Sequence, residues 1–266
     1  MNNEPIHLNG KQVTQVLALS VGNTRTAIGA FVSGQLIESR SLDNGDRGLI
    51  GEVLHAHGTL HPQRAAVVLA SVNAAVAAPL ISVIAARLGT RVHRIESDVP
   101  VPIVRQLAES GAAGEDRLLN AAAAYALLQR SCVIVDAGTA MTIDYVDDRG
   151  TFHGGAIGAG AQLMLDALHA RASQLPPVVL APPSAPLGRD TVDAMRAAVF
   201  YGLRGMVSAL ADEYAWLMGG TPLVVATGGD AELLFHGHPR VYRIIPELTL
   251  WGIALSWQAS SENLGG

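Results

Sequence analysis

Four short stretches of the chain combine residue types that can do chemistry. Ser20-Val21-Gly22-Asn23-Thr24-Arg25 and Asp136-Ala137-Gly138-Thr139-Ala140 each follow an apolar run with a glycine turn carrying short polar side chains. Thr227-Gly228-Gly229-Asp230 is a third turn of this kind. Backbone N–H groups in such turns can face an anion, and neighbouring hydroxyls add donors that suit phosphate oxygens. A carboxylate at a strand end, as at Asp136, can hold a cation that neutralises phosphate charge. Gly114-Glu115-Asp116-Arg117 sets an acid beside a base after a flexible glycine, which makes Asp116 a candidate to take the proton of an attacking hydroxyl. The same four residues also suit an ordinary helix start, with Asp116 complementing the dipole and Arg117 a solvated surface charge.

The elements that must position these residues follow from the hydrophobic pattern. Val13 to Leu19 reads as a buried strand, Thr26 to Phe31 as a second, and Gln35 to Leu42 as a third after a hairpin at Ser33-Gly34. Leu49 to His57 has helical spacing, Arg64 to Ala70 is a short strand, and Ala74 to Leu88 is an alanine-rich helix followed by a strand at Thr90 to Ile95. Asp98 to Gly114, with its prolines and glycines, reads as a surface loop, and Asp116 to Arg130 as a helix. Cys132 to Val135, Met141 to Val146 and Phe152 to Ile157 then repeat the plan of the first three strands, with a hairpin at Asp147-Asp148-Arg149-Gly150. Laying Gly22 on Gly138 puts Ser20 opposite Asp136. Beyond the repeat come a helix at Gln162 to Ala172, a proline-rich loop, and a long helix from Val192 to about Leu217 with Thr191 as its N-cap. A strand at Pro222 to Ala226 and a terminal helix at Leu248 to Gln258 complete the chain. This order predicts α/β layering in two domains, at 13–128 and 129–258, with flexible tails at 1–12 and 259–266.

Composition removes several functions. Of 266 residues, 49% are hydrophobic, enough for a substantial core, and the net charge of −5 with no basic block argues against a nucleic-acid partner. The one cysteine, Cys132, lies in an apolar run, which excludes a disulfide framework and indicates a structural thiol in a reducing, cytoplasmic setting. The first residues lack a signal-peptide layout and no apolar segment is long enough to span a membrane. His55 with His57, and His236 with His238, are spaced by two, which on a helix points them apart and argues against a zinc site.

Several motifs together resemble the type III pantothenate kinases, of the acetate kinase, sugar kinase, Hsp70 and actin fold. Ser20 to Arg25 is similar to the first phosphate motif, Gly114-Glu115-Asp116-Arg117-Leu118-Leu119-Asn120 to the Gly-x-Asp-Arg segment, and Val135 to Ala140 to the second phosphate motif. Gly154-Gly155-Ala156-Ile157, Leu168 to Ala172, Thr191-Val192 and Tyr201-Gly202 also agree, and Ala226-Thr227-Gly228-Gly229 resembles the adenosine motif. The resemblance implies two similar ribonuclease H-like domains, a duplicated actin-like ATPase fold with a central cleft. It further implies ATP-dependent phosphorylation of pantothenate, the first step toward coenzyme A, by a homodimer that uses Mg²⁺ and a monovalent cation, K⁺ or NH₄⁺.

Carried over by position, Asp116 becomes the proton acceptor, and Gly114, Glu115, Asp116 and Arg117 line the pantothenate site, with Arg117 offering charge to the substrate carboxylate. Ser20, Val21, Gly22, Asn23, Thr24, Arg25 and Thr139 take the ATP phosphates, while Gly228 and Gly229 take the adenosine. Asp136 binds the monovalent cation, and Thr191 reaches pantothenate across the dimer interface. Two departures stand out. The family pattern has an aspartate where this chain has Ser20, a loss of the charge that a hard cation values. Leu107 and Ser110 fall near positions where the family carries a tyrosine and a proline. The alternative function these departures suggest is a weakened homologue acting as a ligand-binding or regulatory protein.

Overall fold

The strand Gln15–Val21 (β1) is apolar along almost its whole length and buried on both sides, the pattern of a strand inside a sheet rather than at its edge. The computed structural model describes residues 15–61, 64–109 and 111–264. The expected tail at 1–12, the start of the first strand at Val13 and Ser110 therefore lie outside the described residues. β1 pairs antiparallel with Arg25–Val32 (β2) and parallel with Ala65–Ser71 (β4). Gln35–Asp43 (β3) joins β2 after the expected Ser33-Gly34 hairpin, and Val92–Arg94 (β5) joins β4, giving the order β3-β2-β1-β4-β5.

A second sheet repeats this connectivity. Cys132–Ala137 (β7) lies between the antiparallel Ala140–Val146 (β8) and the parallel Leu223–Thr227 (β10). Thr151–Ala159 (β9) and Val241–Ile244 (β11) extend it to β11-β10-β7-β8-β9, with Val104–Arg105 (β6) beyond β9. The strand β6 falls inside the segment 98–114 that the sequence assigns to loop. It forms because the edge of β9 offers ladder partners, the Gln106 N–H bonding the Phe152 carbonyl at 2.9 Å just after it.

The chain divides into two compact units, each with its own core. The first comprises residues 1–104, 111–127 and 247–266, and the second 105–110 and 128–246, whereas the sequence reading switches at 128/129 and keeps residues up to 258 in the second half. In the first unit, Leu49–Gly58 (α1) and Ala74–Leu88 (α2) bury Val53, Leu80 and Ile84 against Leu17, Leu19 and Leu69. Fully burying side chains of this size contributes about 1.5–3 kcal/mol each. Leu248–Leu264 (α7) belongs to this unit: Trp251 meets Phe31 edge-on at 5.1 Å, and Gly252 lets it approach Glu115–Leu128 (α3) so closely that an added Cβ would lie 2.4 Å from the Leu119 carbonyl. The helix α7 runs past Gln258, where the sequence suggests a frayed tail, and within it Ser256, Ser260 and Ser261 return their hydroxyls to carbonyls three or four residues back.

In the second unit, Ala161–Arg171 (α4), Thr191–Met218 (α5) and the short Ala231–Phe235 (α6) cover one face of the sheet. The helix α5 buries Met195, Val199, Leu203, Val207 and Ala211, a one-in-four stripe, and also Ala197. Its N-cap is Asp190, whose carboxylate accepts the Asp193 N–H at 2.8 Å, and not the expected Thr191, which is the first helical residue. Cys132 is free and buried in β7, and burial pushes its pKa up to about 12, so it is a structural thiol. Among the described residues no helix is long and apolar enough to cross a membrane.

The core also carries a pH dependence. His57 in α1 is buried, its Nε2 has no hydrogen-bond partner among the described residues, and burial lowers its pKa from the ordinary 6.5. His93 and His238 shift the same way, also chiefly through burial. The unfolded chain therefore takes up these protons first as pH falls below 6.5, and stability drops from there toward each folded-state pKa. Denaturant unfolding should show a lower midpoint at about pH 5.5 than at about pH 7.5, and His57→Leu should lessen that drop, by at most about 1.4 kcal/mol per pH unit. Equal drops in the two chains would reject the role of His57.

Candidate active site

The first loop, Gly22 to Thr24, leaves the end of β1 and is closed by the Gly22 N–H bonding the Arg25 carbonyl at 2.9 Å. Its side chains at Asn23 and Thr24 are exposed, and Ser20 is half-buried one residue before the strand ends. The Arg25 guanidinium turns back along β3, to Asp43 Oδ1 at 2.9 Å and the Ser41 carbonyl at 2.7 Å. The loop thus offers backbone at position 25. Asn44, which the sequence reading passed over, lies under the loop and bonds the carbonyls of Gly22, Asn23 and Thr24.

Strand β4 ends beside this loop, its continuation fixed by the Val72 N–H on the Val21 carbonyl at 3.1 Å. There the Ser71 N–H donates to Glu115 Oε2 at 3.0 Å, tying the start of α3 to the same end of the sheet. Burial raises the Glu115 pKa, and the Ser71 hydrogen bond acts against that rise. Asp116 follows directly. Its Oδ1 accepts the Arg117 N–H at 2.8 Å, which is the helix-start role the pattern allowed, while Oδ2 accepts no hydrogen bond among the described residues. Gly114 leaves room for this carboxylate: a Cβ would lie 2.6 Å from Asp116 Oδ1 and would push the side chain from its place. Gly22 to Arg25 and Gly114 to Arg117 are therefore brought together in the first unit.

The second loop, Gly138-Thr139, leaves β7 and is one residue shorter than the first, with the Gly138 N–H on the Ala140 carbonyl at 3.1 Å. Two glycines hold it. Gly160 donates to the Thr139 carbonyl at 3.0 Å, and a Cβ on it would lie 1.9 Å from the Gly138 carbonyl. Gly228, at φ +95°, crosses β7 so closely that a Cβ would lie 2.4 Å from the Ala137 carbonyl and 2.5 Å from Asp136 Oδ1. The Asp230 N–H then bonds the Ala137 carbonyl at 2.9 Å, and burial raises the Asp230 pKa. Asp136, Thr139, Gly228 and Gly229 are thus assembled at one end of the second sheet. Thr191, exposed at the start of α5, makes no hydrogen bond to these loops among the described residues. Leu107 lies against Gly154 of β9, 3.3 Å from the position of an added Cβ.

The sequence reading missed Asn44 and Gly160 as neighbours of the loops, and placed Asp230 in the third turn without giving it a role. Gly160 had a visible signal, a Gly-x-Gly run before a helix. Asn44 had none beyond being a turn residue.

The type III pantothenate kinase sequence pattern matches residues 16–213. Curated type III pantothenate kinases are 32% identical over 248 residues in Syntrophotalea carbinolica and 34% identical over 253 residues in Frankia alni. These matches cover 90% and 91% of this chain, and 97% and 98% of the relatives. The chain belongs to the type III pantothenate kinase family. Solved structures agree on the fold: a Baf family protein from Campylobacter jejuni has a TM-score of 0.60 at 18% identity, covering 92% of this chain and 99% of its own. Component A of (R)-2-hydroxyglutaryl-CoA dehydratase from Acidaminococcus fermentans has a TM-score of 0.55 at 15% identity, covering 95% and 100%. For a type III pantothenate kinase, the crowding around Gly160 generates a direct expectation. Gly160→Ala must displace Gly138 and Thr139, and a shift of about 1 Å in a positioning element can cost roughly 100-fold in rate. Calorimetric titration with ATP should show at least a tenfold weaker complex, on the order of 1.4 kcal/mol; unchanged affinity would separate the second loop from the nucleotide.

Proposed function

We propose that this chain transfers the γ-phosphoryl group of ATP to the primary hydroxyl of pantothenate, the first step toward coenzyme A. The observation that carries the reading is the junction of Asp116 to the first loop, through Glu115 and Ser71, in a chain of this family. Asp116 Oδ1 is held by the Arg117 N–H, which fixes the carboxylate and leaves Oδ2 to take the hydroxyl proton as oxygen attacks phosphorus and the bond to ADP breaks. Arg117 supplies positive charge for the pantothenate carboxylate, with Gly114 and Glu115 completing that part of the site. The peptide groups of Gly22 to Arg25, with Thr139, hold the phosphates, and Gly228-Gly229 admits adenosine where side chains are excluded. Thr191 contributes to the pantothenate site of a dimer partner.

The donor set suits the cations expected with ATP. Asp136 presents a carboxylate oxygen in a cradle of Gly138 and Gly228, a place for a monovalent cation, K⁺ or NH₄⁺. Mg²⁺ bound with ATP would neutralise phosphate charge and would need only one or two protein oxygens. Ser20 offers a hydroxyl there instead of a carboxylate. A homodimer fits the exposed Leu163 and Leu168 of α4 and Tyr201 of α5, apolar side chains on the open faces of adjoining helices. The single buried thiol and the acidic balance fit a cytoplasmic protein that acts on small molecules, without nucleic-acid or membrane partners.

A coupled ATP assay with pantothenate, run with and without K⁺ or NH₄⁺, tests this function. Turnover that requires both pantothenate and the monovalent cation is expected; its absence in every condition would overturn the reading. Asp116→Asn should lower kcat about 10²- to 10⁴-fold and leave ATP affinity intact. Near-full activity would remove Asp116 from the role of base. Ser20→Asp should strengthen Mg-ATP use, seen as a higher steady-state rate at limiting Mg²⁺, and an unchanged or lower rate would show that position 20 does not limit turnover.

A further inference from the structure

Asn44 ends β3 in a turn, far in sequence from any motif, yet it contacts every peptide group of the first loop. Its Nδ2 donates to the Gly22 carbonyl at 2.9 Å and to the Asn23 carbonyl at 3.1 Å, and its backbone N–H donates to the Thr24 carbonyl at 2.9 Å. Its Oδ1 accepts the hydroxyl of Thr26 at 2.8 Å, and Thr26 is fully buried. The Gly22 and Asn23 carbonyls can only accept, which settles the orientation of the amide: both Nδ2 protons face the loop and Oδ1 faces the Thr26 hydroxyl. In a planar trans peptide, the carbonyl of one residue and the N–H of the next point in opposite directions. Drawing the three carbonyls toward Asn44 therefore turns the N–H ends of the same peptides away from it, the side from which a glycine turn can meet an anion.

We infer that Asn44, oriented by Thr26, is the positioning residue that holds the first loop in its phosphate-binding shape. The inference rests on the proposed use of ATP. Only an amide satisfies the arrangement: aspartate would set oxygens against the Gly22 and Asn23 carbonyls, and alanine would leave both without donors. In a chain that carries Ser20 rather than a carboxylate, the geometry of these peptide groups takes a larger share of phosphate recognition.

The test is direct ATP titration of wild type, Asn44→Ala, Asn44→Asp, Thr26→Val and Thr26→Ser, beside the kinase assay and thermal unfolding. Asn44→Ala and Asn44→Asp should weaken ATP binding at least about tenfold and raise KM for ATP in step, with KM for pantothenate unchanged. Thr26→Val should show a smaller loss in the same direction, and Thr26→Ser should restore wild-type affinity. Unchanged ATP affinity in folded Asn44→Ala, or in Thr26→Val should Asn44→Ala fail to fold, overturns the inference. So does a loss shared equally by both substrates that tracks Tm. If wild type binds ATP but leaves pantothenate unphosphorylated while Asn44→Ala binds weakly, the proposed function falls and the role of Asn44 stands. A wild type that binds no ATP overturns both.

Discussion

At the end of β7 one stretch of backbone lies directly on another. Gly228 crosses Asp136 and Ala137 with no room for a Cβ, and Gly160 does the same to Gly138 and Thr139. Side chains are excluded from this place by main chain, so the Asp136 carboxylate and the peptide groups around it are held by elements that cannot repack. The conformational entropy that glycine costs on folding is offset by the ladder of β7 with β10 and β8, which fixes both approaches. The loops at Gly160 and Gly228 support the second loop through main chain.

The first unit has the same strand order and solves the same problem differently. Among the described residues no glycine loop crosses β1 in the way that Gly228 crosses β7. The first loop, one residue longer than its counterpart, is held by side chains: Asn44 from below and, through the neighbouring end of β4, Glu115 on the Ser71 N–H. Burial of Glu115 raises its pKa, and the bond to Ser71 offsets part of that cost. This asymmetry gives the proposed chemistry its division of labour. The glycine-enclosed cradle with its carboxylate belongs to the second unit, and the proposed proton acceptor, Asp116, belongs to the first, beside a loop whose shape depends on polar side chains.

Much of this was legible in the amino-acid order. The apolar runs β1 and β7 announced themselves because a strand buried on both faces must be apolar throughout, and the glycine turns after them could be seen to repeat. Asp116 stood out from the Gly-x-Asp-Arg grouping, although pattern alone could not separate a base from a helix start; the structure shows Oδ1 serving the helix and leaves Oδ2. The β6 strand and the Asp190 cap escaped, the first because its partner is distant in sequence and the second because a local bond chose between neighbouring residues; the extension of α7 escaped as well.

What the sequence determined by itself was the duplicated strand plan, the positions of the glycine turns and the family, since periodicity and short motifs are local properties of the chain. Only the tertiary structure decided that Asn44 supports the first loop, that Gly160 and Gly228 enclose the second, and that Arg25 turns back along β3. The physical reason is that a hydrogen bond or a forbidden Cβ belongs to a pair of residues brought together by sheet register, and register is set by the whole sheet.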